Sequence, residues 1–262
     1  MPKFAANLTT LFTEMPLAAR IPAAQEAGFD AVEIHFPYDT PAMEIRNALG
    51  QSSLPLVLIN APPPNYTGGS AGFAAVPGGE ERFRHDFRRA MRYVNALKAE
   101  HLHIMSGAAW GEQAFDTLVA NLRWAIAEAP QQSLVLEPMN AADLPGYFLS
   151  DFQLAARVVE AVGHDLVGLQ FDTYHAHRIT GDVPGTWEIF GGLVRHVQVA
   201  GVPDQQEPDG AAIDFAAFYR ALDAAGYAGW IGADYRPRGM TRDGLGWLAE
   251  AQAASGALRR PA

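Results

Sequence analysis

The feature that most constrains this chain is a repeat of form, with little repeat of letters. Eight short apolar runs, at 4–8, 31–35, 54–61, 102–105, 134–138, 167–171, 196–200 and 230–235, alternate with longer stretches of helical periodicity. Each run is bounded by polar, Gly or Pro residues, as strands are. Helical patterns fill 16–27, 80–99, 115–129, 151–162, 214–225 and 242–254. Several carry their own boundary signals. Gly28 and Gly163 suit C-terminal caps, Asp151 and Asp214 suit N-terminal caps, and Pro130 stops a helix.

Strands alternating with helices imply a parallel sheet with right-handed crossovers. The chain has 262 residues, and closed barrels of this kind run to roughly 250 residues as one domain. The expected fold is therefore α/β, a single-domain (β/α)8 TIM barrel over 1–262. An open doubly wound sheet is the alternative, but no glycine-rich phosphate loop follows the first strand. The Pro/Gly stretch at 60–70 leaves a strand on the face where such barrels work, so it reads as an active-site cover. The tail Arg259-Arg260-Pro261-Ala262 reads as frayed.

Charge narrows the partners. Lys plus Arg is 19 and Asp plus Glu is 29, a formal charge of −10. Such a surface repels phosphate backbones and anionic lipid, so neither nucleic acid nor membrane is expected as a partner. There is no cysteine, which removes disulfides, thiolate zinc sites and cysteine nucleophiles. The N-terminal residues lack an apolar leader core, and no run of about 18 apolar residues exists to span a membrane. A cytoplasmic location is the expectation. A homo-oligomer is compatible with the sequence, though no motif encodes one.

In a barrel the C-terminal strand ends point into the reaction chamber. Those ends supply Asn7, Glu33, His35, Asn60, Ser106, Glu137, Asp172 with His175, Gln198 and Asp234. Polar groups there are costly to bury unless paired or bound. Each has a plainer reading. Glu137 could pair with an arginine at the strand mouth, Asp172 could cap a helix, and Gln198 could be a buried amide. Asp234 could pair with Arg236 or Arg238. Taken together, Glu137, Asp172, Gln198 and Asp234 offer three carboxylates and an amide oxygen, a hard-oxygen set suited to a divalent metal such as Mg²⁺ or Mn²⁺. Two carboxylates flanking a carbonyl could also move a proton between adjacent carbons. That chemistry is aldose–ketose isomerisation through an enediol.

At this point the sequence resembles the hydroxypyruvate isomerase family of xylose isomerase-like barrels, and within it the 2-oxo-tetronate isomerases. The resemblance runs nearly end to end. Phe4-Ala-Ala-Asn7, Gly28-Phe-Asp-Ala-Val-Glu33, Val76-Pro-Gly-Gly-Glu80, Gln170-Phe-Asp172-Thr-Tyr-His175, His196-Val-Gln198-Val-Ala-Gly-Val-Pro-Asp204, Glu207-Pro-Asp and Gly244-Leu-Gly-Trp247 carry it. It implies an isomerase of small hydroxy-oxo acids. Glu137 and Asp234 would then be the catalytic acid–base pair, with Glu137, Asp172, Gln198 and Asp234 at the metal positions. His175 would face the substrate, with Asn7, Asn60 and Arg236 as further substrate-binding candidates.

The chain departs from the family pattern in three places. Asp234 stands for a glutamate, a side chain shorter by roughly 1.5 Å. Asp204-Gln205-Gln206-Glu207 replaces a basic stretch, and Ala211-Ala212 replaces Gly-Glu. Arg178, Arg236 or Arg238 could restore the positive charge. The alternatives to this function are a sugar 3-epimerase on the same barrel, and a weakened barrel that binds a metabolite without turning it over.

Overall fold

The computed structural model describes residues 3–62, 71–210 and 212–257. Eight strands form its sheet: β1 (Lys3–Asn7), β2 (Ala31–Glu33), β3 (Leu58–Ala61), β4 (His101–Ile104), β5 (Ser133–Leu136), β6 (Val167–Asp172), β7 (Val194–Val199) and β8 (Trp230–Ala233). The sheet order is β2-β1-β8-β7-β6-β5-β4-β3, and every ladder between these neighbours is parallel. The last seam, between β2 and β3, is closed by a parallel bridge from Val32 to Leu56. Backbone bonds from Ile34 N–H to Leu58 O (3.0 Å) and from Asn60 N–H to His35 O (2.8 Å) extend that seam. The sheet is thus a closed (β/α)8 barrel, as the alternation predicts.

Helices follow the strands: α1 (Leu17–Glu26), α2 (Ala42–Ser52), α3 (Glu80–Leu97), α4 (Gly111–Glu128), α5 (Phe152–Val162), α6 (Thr173–Thr180), α7 (Val183–Phe190), α8 (Phe215–Ala224) and α9 (Gly246–Ala257). The two aspartate caps form as expected. Asp151 accepts the Leu154 N–H at 2.7 Å and Asp214 the Ala217 N–H at 2.8 Å. Gly163 ends α5 at φ +67°, a left-handed turn that glycine takes without strain.

Some boundaries differ from the expectation. β3 begins at Leu58, four residues later than the apolar run, because Pro55 within that run has no N–H to give to a ladder. The helix α2 carries Ile45 and Leu49 to the core at helical spacing and was hidden by the polar residues around them. Helices α6 and α7 fill the connection after β6, where the helical patterns of the sequence leave a gap between 162 and 214. Of the expected active-site cover, residues 63–70 lie outside the described residues, as do Ala211 and the tail from 258.

The main core lies between strands and helices, where Phe4, Phe171, Phe218 and Trp187 pack. Inside the barrel the apolar filling is small: Ala5, Ala31, Val57, Leu58 and Val135, with Trp230 against them. Barrel interiors are usually layered with branched aliphatic residues. Here buried Asn7, Glu33, His103, Gln170, His196 and Gln198 take much of that place. Among the described residues no helix is long and apolar enough to cross a membrane.

Candidate active site

Strand alternation sends every second side chain inward, and the register decides which ones meet. Asp172 pairs with Gln198 across β6 and β7, and Asn7 pairs with Glu33 across β1 and β2. Asp234 follows β8 directly, and its N–H donates to Val199 O at 3.2 Å. Glu137 follows β5 in the same way. The result is one buried polar cluster at the C-terminal mouth, where a barrel's reaction chamber is built. Glu137, Asp172, Gln198 and Asp234 are between 0% and 7% exposed.

Asp234 is held by Asn7, whose Nδ2 donates to Asp234 Oδ1 at 2.7 Å. The same Nδ2 lies 2.7 Å from His35 Nε2, and Gln198 Nε2 lies 3.3 Å from that same nitrogen. Two amide donors converging on Nε2 make it an acceptor, so the His35 proton sits on Nδ1. Gln198 Nε2 also donates to Glu33 Oε2 at 2.6 Å, and its oxygen accepts from Gln170 Nε2 at 2.7 Å. Glu33 Oε1 meets His196 Nε2 at 2.9 Å. Room for the Glu33 carboxyl comes from β8, where a Cβ on Gly232 would overlap Glu33 Oε1.

Glu137 sits between two imidazoles. His103 Nε2 is 3.8 Å from its Oε2 and His175 Nε2 is 3.9 Å from its Oε1. The His175 tautomer is fixed from behind. Its Nδ1 accepts the Asn140 backbone N–H at 3.2 Å and faces Asn140 Nδ2 at 2.9 Å, so the proton is on Nε2, toward Glu137. Asp172 caps α6 as the plainer reading holds: its Oδ1 accepts the N–H groups of Tyr174 (2.6 Å) and His175 (3.2 Å). Its Oδ2 has no partner among the described residues. Buried atoms left in that condition cost about 1–3 kcal/mol each.

Burial and crowding shift these groups together. Burial pushes Glu137 well above the carboxylate range, and Asp172 and Asp234 add to the effect. Burial, then Asp234, raises Asp172 to about 8. Burial raises Glu33 to about 8 as well. The imidazoles move the other way: burial lowers His175 to about 4 and His103 and His196 to about 3. At neutral pH burial therefore favours the protonated form of Glu33, Glu137 and Asp172 and the neutral form of His103, His175 and His196.

The donor types suit a hard divalent cation, and three carboxylates acting on one another without a buried Lys or Arg among the described residues would welcome one. The spacing is a different matter. Among the described residues no group of three His, Cys, Asp or Glu side chains stands at metal-ligand spacing. Gln198, the fourth expected ligand, has its oxygen bonded to Gln170. That bond takes one lone pair of the amide oxygen and leaves the second for a cation.

Of the other expected residues, Asn60 is buried in the chamber wall with Oδ1 unpartnered among the described residues. Arg236 is exposed at the rim, and its backbone N–H donates to Gln205 O; the fold does not bring it into the buried cluster. Arg178 is exposed too, and Arg238 is taken up by ion pairs with Glu207 and Asp209. Ser106 turns away to lace loops, its N–H donating to the Tyr147 hydroxyl at 3.0 Å. His103, Gln170, Asn140 and His196 were not singled out from sequence as site residues. The period of two along each strand was the available signal, since His103, Gln170 and His196 each lie two residues from an inward position nearer the mouth.

Comparison with known proteins agrees with this picture. Residues 21–251 match the family described as xylose isomerase-like TIM barrel. A 2-oxo-tetronate isomerase of Cupriavidus necator is 37% identical over 254 residues, 95% of this chain and 98% of the relative. The hydroxypyruvate isomerase of Escherichia coli is 33% identical over 254 residues, with the same coverage. A solved Brucella melitensis structure described as an AP endonuclease of family 2 superposes with a TM-score of 0.91. It is 40% identical, over 95% of this chain and 99% of that one. A 3-keto-D-glucoside 4-epimerase of Escherichia coli, 19% identical with a TM-score of 0.76, covers 95% of this chain and 100% of its own and shares the fold. The chain belongs to the xylose isomerase-like TIM-barrel family, in the branch of the hydroxypyruvate and 2-oxo-tetronate isomerases.

Proposed function

We propose that this protein is an aldose–ketose-type isomerase of the hydroxypyruvate isomerase and 2-oxo-tetronate isomerase kind, acting on a small hydroxy-oxo acid. The observation that supports it best is the pair of strand-end carboxyl groups, Glu137 and Asp234, in one buried chamber and in unlike settings. Glu137 is pushed up by burial between two neutral imidazoles, so it holds a proton to give. Asp234 receives the Asn7 amide, which fixes its orientation. A base and an acid on either side of a carbonyl–hydroxyl pair can take a proton from one carbon and return one to its neighbour.

In this reading the Asp234 carboxylate removes the proton from the hydroxyl-bearing carbon. Glu137 delivers a proton to the former carbonyl carbon, while the proton of the original hydroxyl passes to the former carbonyl oxygen in the enediol; exchange of one proton from Asp234 back to Glu137 then resets the pair. His175, with its proton on Nε2, donates to a substrate oxygen as charge builds there in the enediolate. The buried walls exclude water and so keep the enediolate from side reactions. To hold a Mg²⁺ or Mn²⁺ ion, Glu137, Asp172 and Asp234 would have to draw closer than they stand here; an ion so bound would supply polarisation of the substrate carbonyl. The chamber chemistry and the surface charge of −10 both favour a small molecule over nucleic acid.

A coupled assay tests this directly. Folded protein with added Mn²⁺ or Mg²⁺ is expected to isomerise 2-oxo-tetronate, hydroxypyruvate or both. Stripping with a chelator is expected to remove most of that turnover, and added Mn²⁺ to restore it. Absence of turnover on both substrates, in protein shown to be folded, rules the assignment out.

A further inference from the structure

Two inward-facing side chains on the Glu137 side of the acid–base pair carry buried polar atoms without partners among the described residues. Asn60 on β3 and His103 on β4 are register partners, so they share a face of the sheet on strands about 4.8 Å apart. His103 is fully buried and Asn60 nearly so. Among the described residues, Asn60 Oδ1 and both ring nitrogens of His103 have no hydrogen-bond partner. Glu137 Oε2, at 3.8 Å from His103 Nε2, is too distant for a direct bond. Buried polar groups in native proteins are almost always satisfied, so these atoms call for a partner beyond the described residues.

Donor and acceptor types say which group. Asn60 Oδ1 accepts and cannot donate. A neutral imidazole offers one donor and one acceptor. A hydroxyl both donates and accepts, and so matches the two side chains together. A carboxylate or a ketone oxygen brings no proton for Asn60 Oδ1. The barrel order gives the direction. β4 is next to β5, which carries Glu137, with β3 beyond it, and the two lie across the ring from β8, which carries Asp234. With the reacting carbons between Glu137 and Asp234, the rest of a substrate extends toward β3 and β4.

We propose that Asn60 and His103 form a subsite for a substrate hydroxyl outside the reacting carbon pair. This rests on the isomerase reading above and narrows it. In 2-oxo-tetronate the reacting carbons are C2 and C3, and the C4 hydroxyl lies beyond them. Hydroxypyruvate has no such hydroxyl. The subsite therefore selects the four-carbon substrate over the three-carbon one.

The test compares 2-oxo-tetronate with its 4-deoxy analogue in the wild type, His103→Phe, His103→Gln and Asn60→Leu. The wild type should prefer the hydroxylated substrate by roughly tenfold or more in kcat/KM. His103→Phe, which also alters the surroundings of Glu137, should lower kcat/KM for 2-oxo-tetronate about tenfold more than for the 4-deoxy analogue, so that the preference collapses whatever loss the two substrates share. His103→Gln, which keeps a donor and an acceptor, should retain most of it, and Asn60→Leu should repeat the collapse if His103→Phe does not fold. Equal losses on both substrates, or no preference in the wild type, would overturn the subsite while leaving the isomerase intact. Failure of the folded wild type on both compounds would overturn the isomerase reading and the subsite with it.

Discussion

Glu33 is the residue on which the interior network turns. It receives the Gln198 amide on one oxygen and meets His196 on the other. Burial raises it to about 8, so at neutral pH it is mostly an uncharged carboxyl, which an amide imitates. Glu33→Gln should therefore cost less than about 1 kcal/mol, while Glu33→Leu should cost about 2–4 kcal/mol by stranding two buried polar groups. Urea denaturation of both variants checks this; equal losses would contradict it. His101, deeper in the barrel, sets a pH dependence. Burial, then His196, lowers it from the ordinary 6.5 to about 4. Below pH 6.5 the unfolded chain takes up a proton that the folded chain refuses. Its contribution is fully present above 6.5 and is lost as pH falls through about 4. The wild type should lose stability over that window more steeply than His101→Gln, by up to about 1.4 kcal/mol per pH unit. Parallel stability curves for the two proteins would refute it. At this scale the sequence showed the outermost ring, Asn7, Asn60, Glu137, Asp172, Gln198 and Asp234, because a polar residue at the end of an apolar strand stands out. His103, level with Asn60 in register, and the deeper Gln170 and His196 lie within the runs, where burial of polar groups is less expected.

The elements do two kinds of work. Strands set the depth of each inward side chain, and helix starts fix the loops around the mouth. Gly232 on β8 shows the first kind: its missing side chain is the space the Glu33 carboxyl occupies. Gly232→Ala should destabilise the protein by about 1–3 kcal/mol and lower activity, since Glu33 must move and Gln198 with it. Thermal unfolding with a parallel activity assay measures this, and a variant of wild-type stability and rate would show that the carboxyl is not confined there. Asp172 shows the second kind, capping α6 with one oxygen and facing the chamber with the other. Most elements were legible from period and caps, as Asp151 and Asp214 illustrate. The late start of β3 and the helix α2 were not: Pro55 interrupts an apolar run, and α2 shows few apolar residues beyond Ile45 and Leu49.

For the whole molecule, a frame of parallel strands places a polar column on the barrel axis, and the barrel mouth turns its upper ring into a chamber. The arginines that sequence offered for a substrate carboxylate, Arg178, Arg236 and Arg238, stand exposed at the rim, a placement that depends on loop paths and is not encoded in local sequence. The central claim is that Glu137 and Asp234 move a proton between adjacent carbons of a small hydroxy-oxo substrate. Its most direct test follows 2-oxo-tetronate and hydroxypyruvate by proton NMR with Mn²⁺- or Mg²⁺-treated enzyme, after metal removal for the spectrum, for the wild type and Glu137→Gln. The account predicts conversion to the isomeric hydroxy-oxo acid by the wild type and a rate lower by about 10²–10⁴-fold for a folded Glu137→Gln. Unchanged substrate with the folded wild type, or a Glu137→Gln rate equal to the wild-type rate, would contradict it.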